Sequence, residues 1–324
     1  MLLTTGIGAW VEEDYYDRTG RLDLDNLNDR IHINMFAGDA HLETQTLLLK
    51  VFVDFEAVPF KVAGMDDYVL TFIFETPTQH RITIPIHLYS GLIDTGYNRN
   101  FTVLSAVYPQ YYMHQELDFL QTEWGGGIHF NWGMVLNLEL NLGHDEIVLQ
   151  ADIFENIVHT EGFGGFELNQ NFDVYDNFDA YHSENEDGTL VFTQHPPPRH
   201  LEVRLGESLK LAFTINLHPG LIELVTEDGT EYIEPPPLTE MVMIILVDWN
   251  QVEIEGNPYL FIQLTDEQVE KRYGQFGIFH LALPEEVGFY DVVAFVVERT
   301  QSGYEPFTFF PSAMSGRFTI EVVE

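Results

Sequence analysis

The chain has 324 residues, of which 45% are hydrophobic and 14% aromatic, and this is enough for packed cores in about two domains. It carries 14 Lys and Arg against 52 Asp and Glu, a formal net charge of -38. This balance excludes nucleic acid and anionic membrane surfaces as partners, because both require clustered cations on the protein. Cysteine is absent, which excludes disulfides, thiolate catalysis and cysteine zinc sites.

No apolar run reaches the roughly 18–20 residues that cross a bilayer, so we expect no membrane span. The first ten residues, MLLTTGIGAW, lack a basic n-region and predict no signal peptide. An exported chain would then be numbered from its mature sequence. Two explanations suit the acidity: bound hard cations such as calcium, or a high-salt environment that screens the charges.

Residues 1–29 precede the first predicted sheet and contain apolar stretches outside either predicted core. We hypothesise that this extension donates a strand to the sheet edge of a neighbouring subunit. It also contains Asp23, Asp25 and Asp29, which with Asn26 and Asn28 form an oxygen-rich cluster that could bind calcium. The EF-hand spacing fails, since no Gly stands at the sixth position, and a solvated turn-forming loop is the alternative.

Short segments rich in β-branched and aromatic residues recur along the chain, with Gly, Pro, Asn and Asp between them. Strand signals at this spacing, about eight to twelve residues, favour an antiparallel sandwich over βαβ units. We therefore predict an all-β chain of two tandem antiparallel sandwiches, the first with a long acidic insertion.

One stretch occurs twice. Residues 50–62 read KVFVDFEAVPFKV and residues 244–256 read IILVDWNQVEIEG, so that Asp54 aligns with Asp248. Each copy predicts a buried strand, a tight turn and a returning strand at the centre of a sandwich. A duplicated position more often serves the fold than a reaction, so we expect both carboxylates to accept backbone N–H bonds at the turn. His87 and His280, further along, are also duplicated and are predicted to be structural.

The first sandwich is predicted over residues 30–195, with an elaboration at about 109–189. No Lys or Arg occurs from Asn100 to Pro198. Loops that decorate a rigid sandwich often bind ligands, and exposed rings can stack on sugars while carboxylates bind cations. A partly packed loop with solvated charges is the alternative. The candidate glycan-binding residues are Trp124, Trp132, Tyr175 and Tyr181, and the candidate cation ligands are Asp173, Asp176 and Asp179.

Residues 196–199 contain three consecutive prolines, which stiffen the chain and cannot join a central ladder. We predict the domain boundary there, with the second sandwich over residues 200–324. Near its end, Val287-Gly288-Phe289-Tyr290 leads into the apolar run VVAFVV.

This entry into a late strand, together with the strand spacing, resembles immunoglobulin-like and fibronectin type III-like sandwiches. The resemblance covers most of residues 200–324 and the core of the first unit. The cysteine and tryptophan landmarks of true immunoglobulin domains are absent apart from Trp249. The resemblance implies binding or spacing modules and transfers no catalytic residue, because a fold does not fix a function.

The chain contains no P-loop, dinucleotide fingerprint, G-x-S-x-G elbow or H-E-x-x-H motif. We therefore expect a non-catalytic extracellular or cell-surface structural protein, which self-associates into a filament or layer or binds other surface proteins. Bound cations could stabilise it, with calcium the one candidate cofactor. The alternative is a carbohydrate-binding module acting through residues 109–189, and the third hypothesis is a polysaccharide hydrolase, since abundant Asp and Glu hide any specific catalytic pair.

Overall fold

The computed structural model describes the sheets of the protein and the turns around both copies of the repeated stretch. The described residues are 6–11, 21–23, 31–38, 44–77, 80–89, 99–107, 133–141, 157–159, 172–175, 182–184, 190–192, 200–215, 222–226, 229–233, 239–267, 275–299, 312–315 and 317–324.

The chain divides into two compact units, the first formed mainly by strands β1–β10 and the second mainly by β11–β25. The strands of the first are β1 (Gly6–Val11), β2 (Arg21–Asp23), β3 (Ile31–Gly38), β4 (Thr44–Val53), β5 (Glu56–Ala57), β6 (Phe60–Val62), β7 (Phe72–Pro77), β8 (His80–Leu88), β9 (Arg99–Val107) and β10 (Gly133–Asn141).

The second unit contains a larger number of short strands. They are β11 (Ile157–His159), β12 (Phe172–Tyr175), β13 (His182–Glu184), β14 (Leu190–Phe192), β15 (His200–Arg204), β16 (Ser208–Ile215), β17 (Ile222–Thr226), β18 (Gly229–Ile233), β19 (Glu240–Val247), β20 (Asn250–Gln251), β21 (Leu260–Gln263), β22 (Gln275–Ala282), β23 (Gly288–Glu298), β24 (Ser312–Met314) and β25 (Phe318–Val323). The predicted all-β class is confirmed, and no helix within the described ranges has the length and apolarity to cross a bilayer.

The first unit is a sandwich of two sheets. One has the order β1-β3-β8-β6, and the other has the order β2-β10-β9-β4-β5 with β7 also paired to β4. A single apolar core takes residues from both sheets, including Ile33 and Ile86 from one and Leu49, Val51 and Phe101 from the other. The sheets therefore pack face to face, as in aligned sandwiches.

The second unit repeats this plan. One sheet has the order β11-β22-β16-β12, and the other has the order β15-β25-β23-β19-β20 with β21 paired to β19 and β24 to β23. Its core joins Phe213 and Phe279 of the first sheet to Ile245, Val292 and Ile320 of the second. The duplication thus extends from the repeated stretch to most of the sandwich. In one sheet, β1, β3 and β8 correspond in pairing to β12, β16 and β22. In the other sheet, β2 corresponds to β15, β10 to β25, β9 to β23 and β4 to β19.

Strand β19, and strand β4 apart from Lys50, are apolar on successive residues because both faces of each strand are buried. In β4, Leu49 and Val51 enter the sandwich core, while Leu48 and Phe52 on the opposite face are also fully buried. Central strands that are covered on both sides read as continuous apolar runs and do not alternate with polar residues. The two copies of the repeated stretch are therefore enclosed on both faces of their sheets.

Two segments assigned from the sequence to extensions take part in the sheets. Strand β1, from the predicted strand donor, pairs antiparallel with β3 of its own chain. Strands β11 and β12, from the predicted elaboration at 109–189, pair with β22 and β16 of the second unit. The linker at 196–199 lies outside the described residues, so the predicted domain bounds stay a prediction.

Candidate functional site

The repeated stretch folds into the same hairpin turn in both units. Val53 pairs with Glu56 and Val247 with Asn250, leaving two-residue turns at Asp54-Phe55 and Asp248-Trp249. The four turn residues have φ values of 49°, 70°, 47° and 64°, the pattern of a type I′ turn. That turn prefers Asn-Gly, and a non-glycine residue at positive φ costs about 1–2 kcal/mol. Both aromatic rings are buried, and their burial offsets this strain.

In the first copy, the Asp54 carboxylate fastens the turn to the start of β9. Its Oδ1 accepts the Asn100 N–H at 2.9 Å, and the Asp54 N–H donates to the Asn100 carbonyl at 2.9 Å. Arg99 Nε donates to Asp54 Oδ2. Burial raises the pKa of Asp54, while the Arg99 charge and the Asn100 N–H act in the opposite direction. The carboxylate is thus committed to the backbone and to one arginine.

The second copy keeps this backbone clamp and adds an enclosed ion pair. Asp248 Oδ1 accepts the Asp291 N–H at 2.8 Å, and the Asp248 N–H donates to the Asp291 carbonyl at 2.8 Å. Arg317 donates through Nε to Asp291 Oδ2 at 2.9 Å, and its guanidinium lies 4.9 Å from the centre of the Trp249 ring. The predicted role of both duplicated aspartates, accepting backbone N–H bonds at a turn, is confirmed.

The ion pair has almost no access to solvent, because its side chains are 1% exposed for Arg317 and 2% exposed for Asp291. Burial raises the pKa of Asp291 from 3.8 to about 6, opposed by the charge and hydrogen bond of Arg317. Asp291 Oδ1 is buried and has no hydrogen-bond partner in the part of the chain that the structure describes. The hydrogen bonds of the pair therefore offset only part of the free energy that its removal from water costs.

Lys50 is a third enclosed ionisable group. It lies on β4 with a residue exposure of 1%, and its Nζ donates to the Leu70 carbonyl at 3.2 Å and to Thr71 Oγ1 at 3.1 Å. Burial lowers its pKa to about 8. The second copy has Ile244 at the aligned position, so the sandwich itself does not require an ammonium group there.

These three groups lie inside the fold, bonded to backbone, hydroxyl or arginine partners. Lys50 and the Asp291 side chain are almost fully buried, and the Asp54 side chain is 14% exposed. Within the described ranges no three His, Asp or Glu residues are grouped closely enough to hold a metal ion. Their chemistry is that of turn and strand clamps.

Few of the sequence-predicted site residues fall on described strands. Asp23 ends β2, and in β12 the backbone of Asp173 pairs with Thr214 and that of Tyr175 with Ala212. Asp23 and Asp173 therefore belong to different sheets. Cation binding and glycan binding at these positions stay predictions. The other candidates lie outside the described residues: Asp25, Asp29, Trp124, Trp132, Asp176, Asp179 and Tyr181.

Among the described residues of the first unit, three exposed apolar side chains lie on either side of the bridge between Phe60 and Val69 and at the end of β8, and the sequence did not single them out. Tyr68, Leu70 and Tyr89, here named the tyrosine patch, have exposures of 46%, 48% and 55%. The two tyrosine rings meet edge to face, with centroids 6.1 Å apart and planes at 90°. The sequence contained one signal of this patch. When the two copies are aligned, Ala282 stands at the position of Tyr89.

The sequence matches no protein-family model and no curated protein. Among solved structures, the chain is similar to the C-terminal domain of the Streptococcus pyogenes antigen I/II-family protein AspA, at 9% identity and a TM-score of 0.22, covering 98% of this chain and 99% of that one. It is also similar to the calcium-binding domain CBD12 of CALX1.1, at 6% identity and a TM-score of 0.21, covering 98% of this chain and 100% of that one. Collagen adhesin from S. aureus matches at 8% identity and a TM-score of 0.16, covering 100% of this chain and 95% of that one. At these values the likenesses do not bear on function.

The clamp at Asp248 makes a prediction about stability. Asp248→Ala removes the acceptor of the Asp291 N–H and leaves Ala at positive φ, so we expect the free energy of unfolding to fall by about 2–3 kcal/mol. Asp248→Asn keeps an oxygen acceptor and a residue that tolerates positive φ, and should cost less than about 1 kcal/mol. Urea unfolding followed by tryptophan fluorescence measures both, and equal losses would contradict the clamp.

Proposed function

We propose that this chain is a non-catalytic structural protein of the cell surface, built from two β-sandwich units that assemble into a filament or layer. One observation carries the non-catalytic part. The enclosed ionisable groups Lys50, Asp54 and Asp291 bond to the protein itself, and they serve the turns and strands of the sandwich. An enzyme keeps its perturbed groups in a cleft within reach of substrate.

Duplication supports the structural part of the proposal. Both units keep the same strained turn, the same backbone clamp and the same strand pairing. The residues that align and stay alike are those that hold the sandwich together, such as Asp54 and Asp248. Sandwich units in series are suited to spacing and display, and the charge of -38 keeps such a chain soluble.

Assembly is proposed to proceed through β1. In the described sheet, β1 occupies the end of the order β1-β3-β8-β6 and pairs with β3 on one side. A strand in this position can be exchanged with the corresponding strand of a second copy, or can accept a further strand on its open side. The same six residues would then close the sheet within one chain or join two chains.

Deletion of residues 1–12 tests this route. We expect the full chain to form oligomers and the deletion variant to remain a folded monomer, because the deletion removes β1 but leaves both apolar cores. Light scattering after size exclusion, over a series of protein and salt concentrations, measures the change. As a control, a peptide with the sequence of β1, GIGAWV, is added to the deletion variant to test whether it can pair with the edge of β3 that the deletion exposes. An unchanged oligomeric state would count against the proposal.

Bound cations remain part of the proposal as stabilisers. The acidic residues at 23–29 and 173–179 are the proposed ligands, with calcium the cation whose preference for oxygen donors fits them. Neutralising even a few of the 52 carboxylates would relieve self-repulsion within one chain and between neighbouring chains.

A further inference from the structure

The two copies of the sandwich provide an internal comparison that separates what the fold needs from what one unit adds. In the first unit, Phe60 and Val69 exchange backbone hydrogen bonds of 3.0 and 2.9 Å, and Phe60 also pairs with Leu88. In the second unit, Ile254 takes the place of Phe60 and bridges to both Asn257 and Leu281. This correspondence aligns the tyrosine patch residue by residue with the second unit.

The second unit has no large side chain at the aligned positions. Gly256, Pro258 and Ala282 stand where the first unit has Tyr68, Leu70 and Tyr89. The sandwich therefore forms without the three exposed apolar groups. Since water exposure of two tyrosines and a leucine contributes nothing to folding, the patch is an addition to the first unit alone.

In each unit a side-chain donor fastens the backbone carbonyl at this position, Lys50 Nζ to Leu70 in the first and Gln251 Nε2 to Pro258, at 2.8 Å, in the second. Lys50 Nζ donates to the Leu70 carbonyl and to Thr71 Oγ1, whereas the second unit has Ile244 at the position of Lys50. The chain leading to Tyr68 is six residues longer than its counterpart (Phe60 to Val69 against Ile254 to Asn257), and the Ala63 N–H in this loop donates to the Pro85 carbonyl at 2.9 Å. The segment is therefore fastened in both units, and the buried lysine, the longer loop and the three half-exposed apolar side chains are what the first unit adds.

We propose that the tyrosine patch binds a neutral polysaccharide, by stacking of a pyranose ring on Tyr68 or Tyr89. A pyranose has an apolar face of C–H groups and a rim of hydroxyls. The tyrosines supply an apolar ring with a polar tip, and the exposed carboxylates of Asp66 and Asp67 beside Tyr68 accept hydroxyl hydrogen bonds. This inference goes beyond the proposed function, because a structural module needs no ligand.

Charge and size decide between a polysaccharide and other occupants. A chain with a net charge of -38 repels anionic polymers, which leaves neutral sugars as the favoured class. A stable protein interface buries about 800 Å² on each partner, far more than three side chains offer. The rings of Tyr68 and Tyr89 lie at right angles to each other, which suits contact with one sugar ring and with the next sugar along the polymer.

Native gel electrophoresis with polysaccharide cast into the gel tests the proposal on the full chain. The probes are a neutral β-glucan, a galactomannan and an α-glucan, with anionic polygalacturonate as the comparison. We expect at least one neutral polymer to retard the chain, and Tyr68→Ala and Tyr89→Ala each to weaken that retardation roughly tenfold in apparent Kd. Phe289→Ala removes an exposed aromatic from the second unit and should change nothing.

Tyr89→Ala places in the first unit the residue that the second unit has, so its fold is expected to be retained, and urea unfolding checks this. The proposal is overturned if no neutral polymer retards the chain, if only polygalacturonate does, or if Tyr89→Ala is retarded like the unmodified chain. It is also overturned if Tyr89→Ala dissociates an oligomer, which would identify a second copy as the occupant. Loss of assembly on deletion of residues 1–12 reports separately on the proposed function.

Discussion

Replacing Arg317 by Asn is expected to lower the free energy of unfolding of the second unit by about 3–5 kcal/mol at neutral pH. The substitution leaves the Asp291 carboxyl group buried without its partner, so that at neutral pH it must either stay charged or take up a proton, and its Oδ1 already lacks a hydrogen bond within the described residues. It also removes the guanidinium that lies 4.9 Å from the centre of the buried Trp249 ring. Denaturant unfolding followed by tryptophan fluorescence measures the loss.

The first unit provides the matched control for this prediction. By strand register, Asn100 stands at the position of Asp291 and Asn137 at the position of Arg317. The double variant Asp291→Asn with Arg317→Asn therefore gives the second unit the two neutral residues that the first unit has at these positions. We expect it to recover most of the stability lost in Arg317→Asn, because no ionisable carboxyl group remains buried at this position. A double variant as unstable as the single one would show that packing on Trp249, and not the unpaired charge, sets the cost.

The repeated stretch could be interpreted from the sequence because its signals are local. A continuous apolar run predicts a strand covered on both faces, and an aspartate at the same place in two turns predicts a backbone clamp. Asp54 and Asp248 perform that role in the structure. Both determinants lie within about ten residues of each other, so no knowledge of the tertiary fold was needed.

The partners of the clamp could not be predicted in the same way. Arg317 reaches Asp291 across 26 residues of chain, and Arg99 reaches Asp54 across 45. Which arginine meets which carboxylate depends on the register of β9 against β4 and of β25 against β23, and many registers satisfy the same apolar pattern. The acidic composition added to this ambiguity, since 52 carboxylates compete for 14 cations.

The tyrosine patch was missed for a different reason. A segment such as YVLTFIF predicts a strand, but its aromatic residues do not indicate which of them face water. Tyr68 and Leu70 are exposed, while Val69 between them packs on the core. The alignment of the two copies, by contrast, distinguishes Tyr89 from Ala282 in the sequence alone. The repeat therefore indicates which residues the first unit has that the shared sandwich does not require.

The second large effect expected is a dependence of stability on pH that runs opposite to ordinary acid denaturation. Burial raises the pKa of Asp291 from its usual 3.8 to about 6 in the folded chain. Between these values the folded chain binds more protons at this group than the unfolded chain does, so the free energy of unfolding falls as pH rises. The contribution of Asp291 is complete below about pH 4 and lost above about pH 6, and it amounts to ~3 kcal/mol.

Asp291→Asn isolates this contribution, because the substitution removes the titrating group and leaves the other carboxylates in place. The free energy of unfolding of the unmodified chain minus that of the variant should decrease by ~3 kcal/mol between pH 4 and pH 7. Asp54, whose pKa is also raised by burial, contributes equally to both chains and cancels in the difference. A difference that instead grows with pH would mean that attraction to Arg317 outweighs burial, and that the ion pair stabilises the fold at neutral pH.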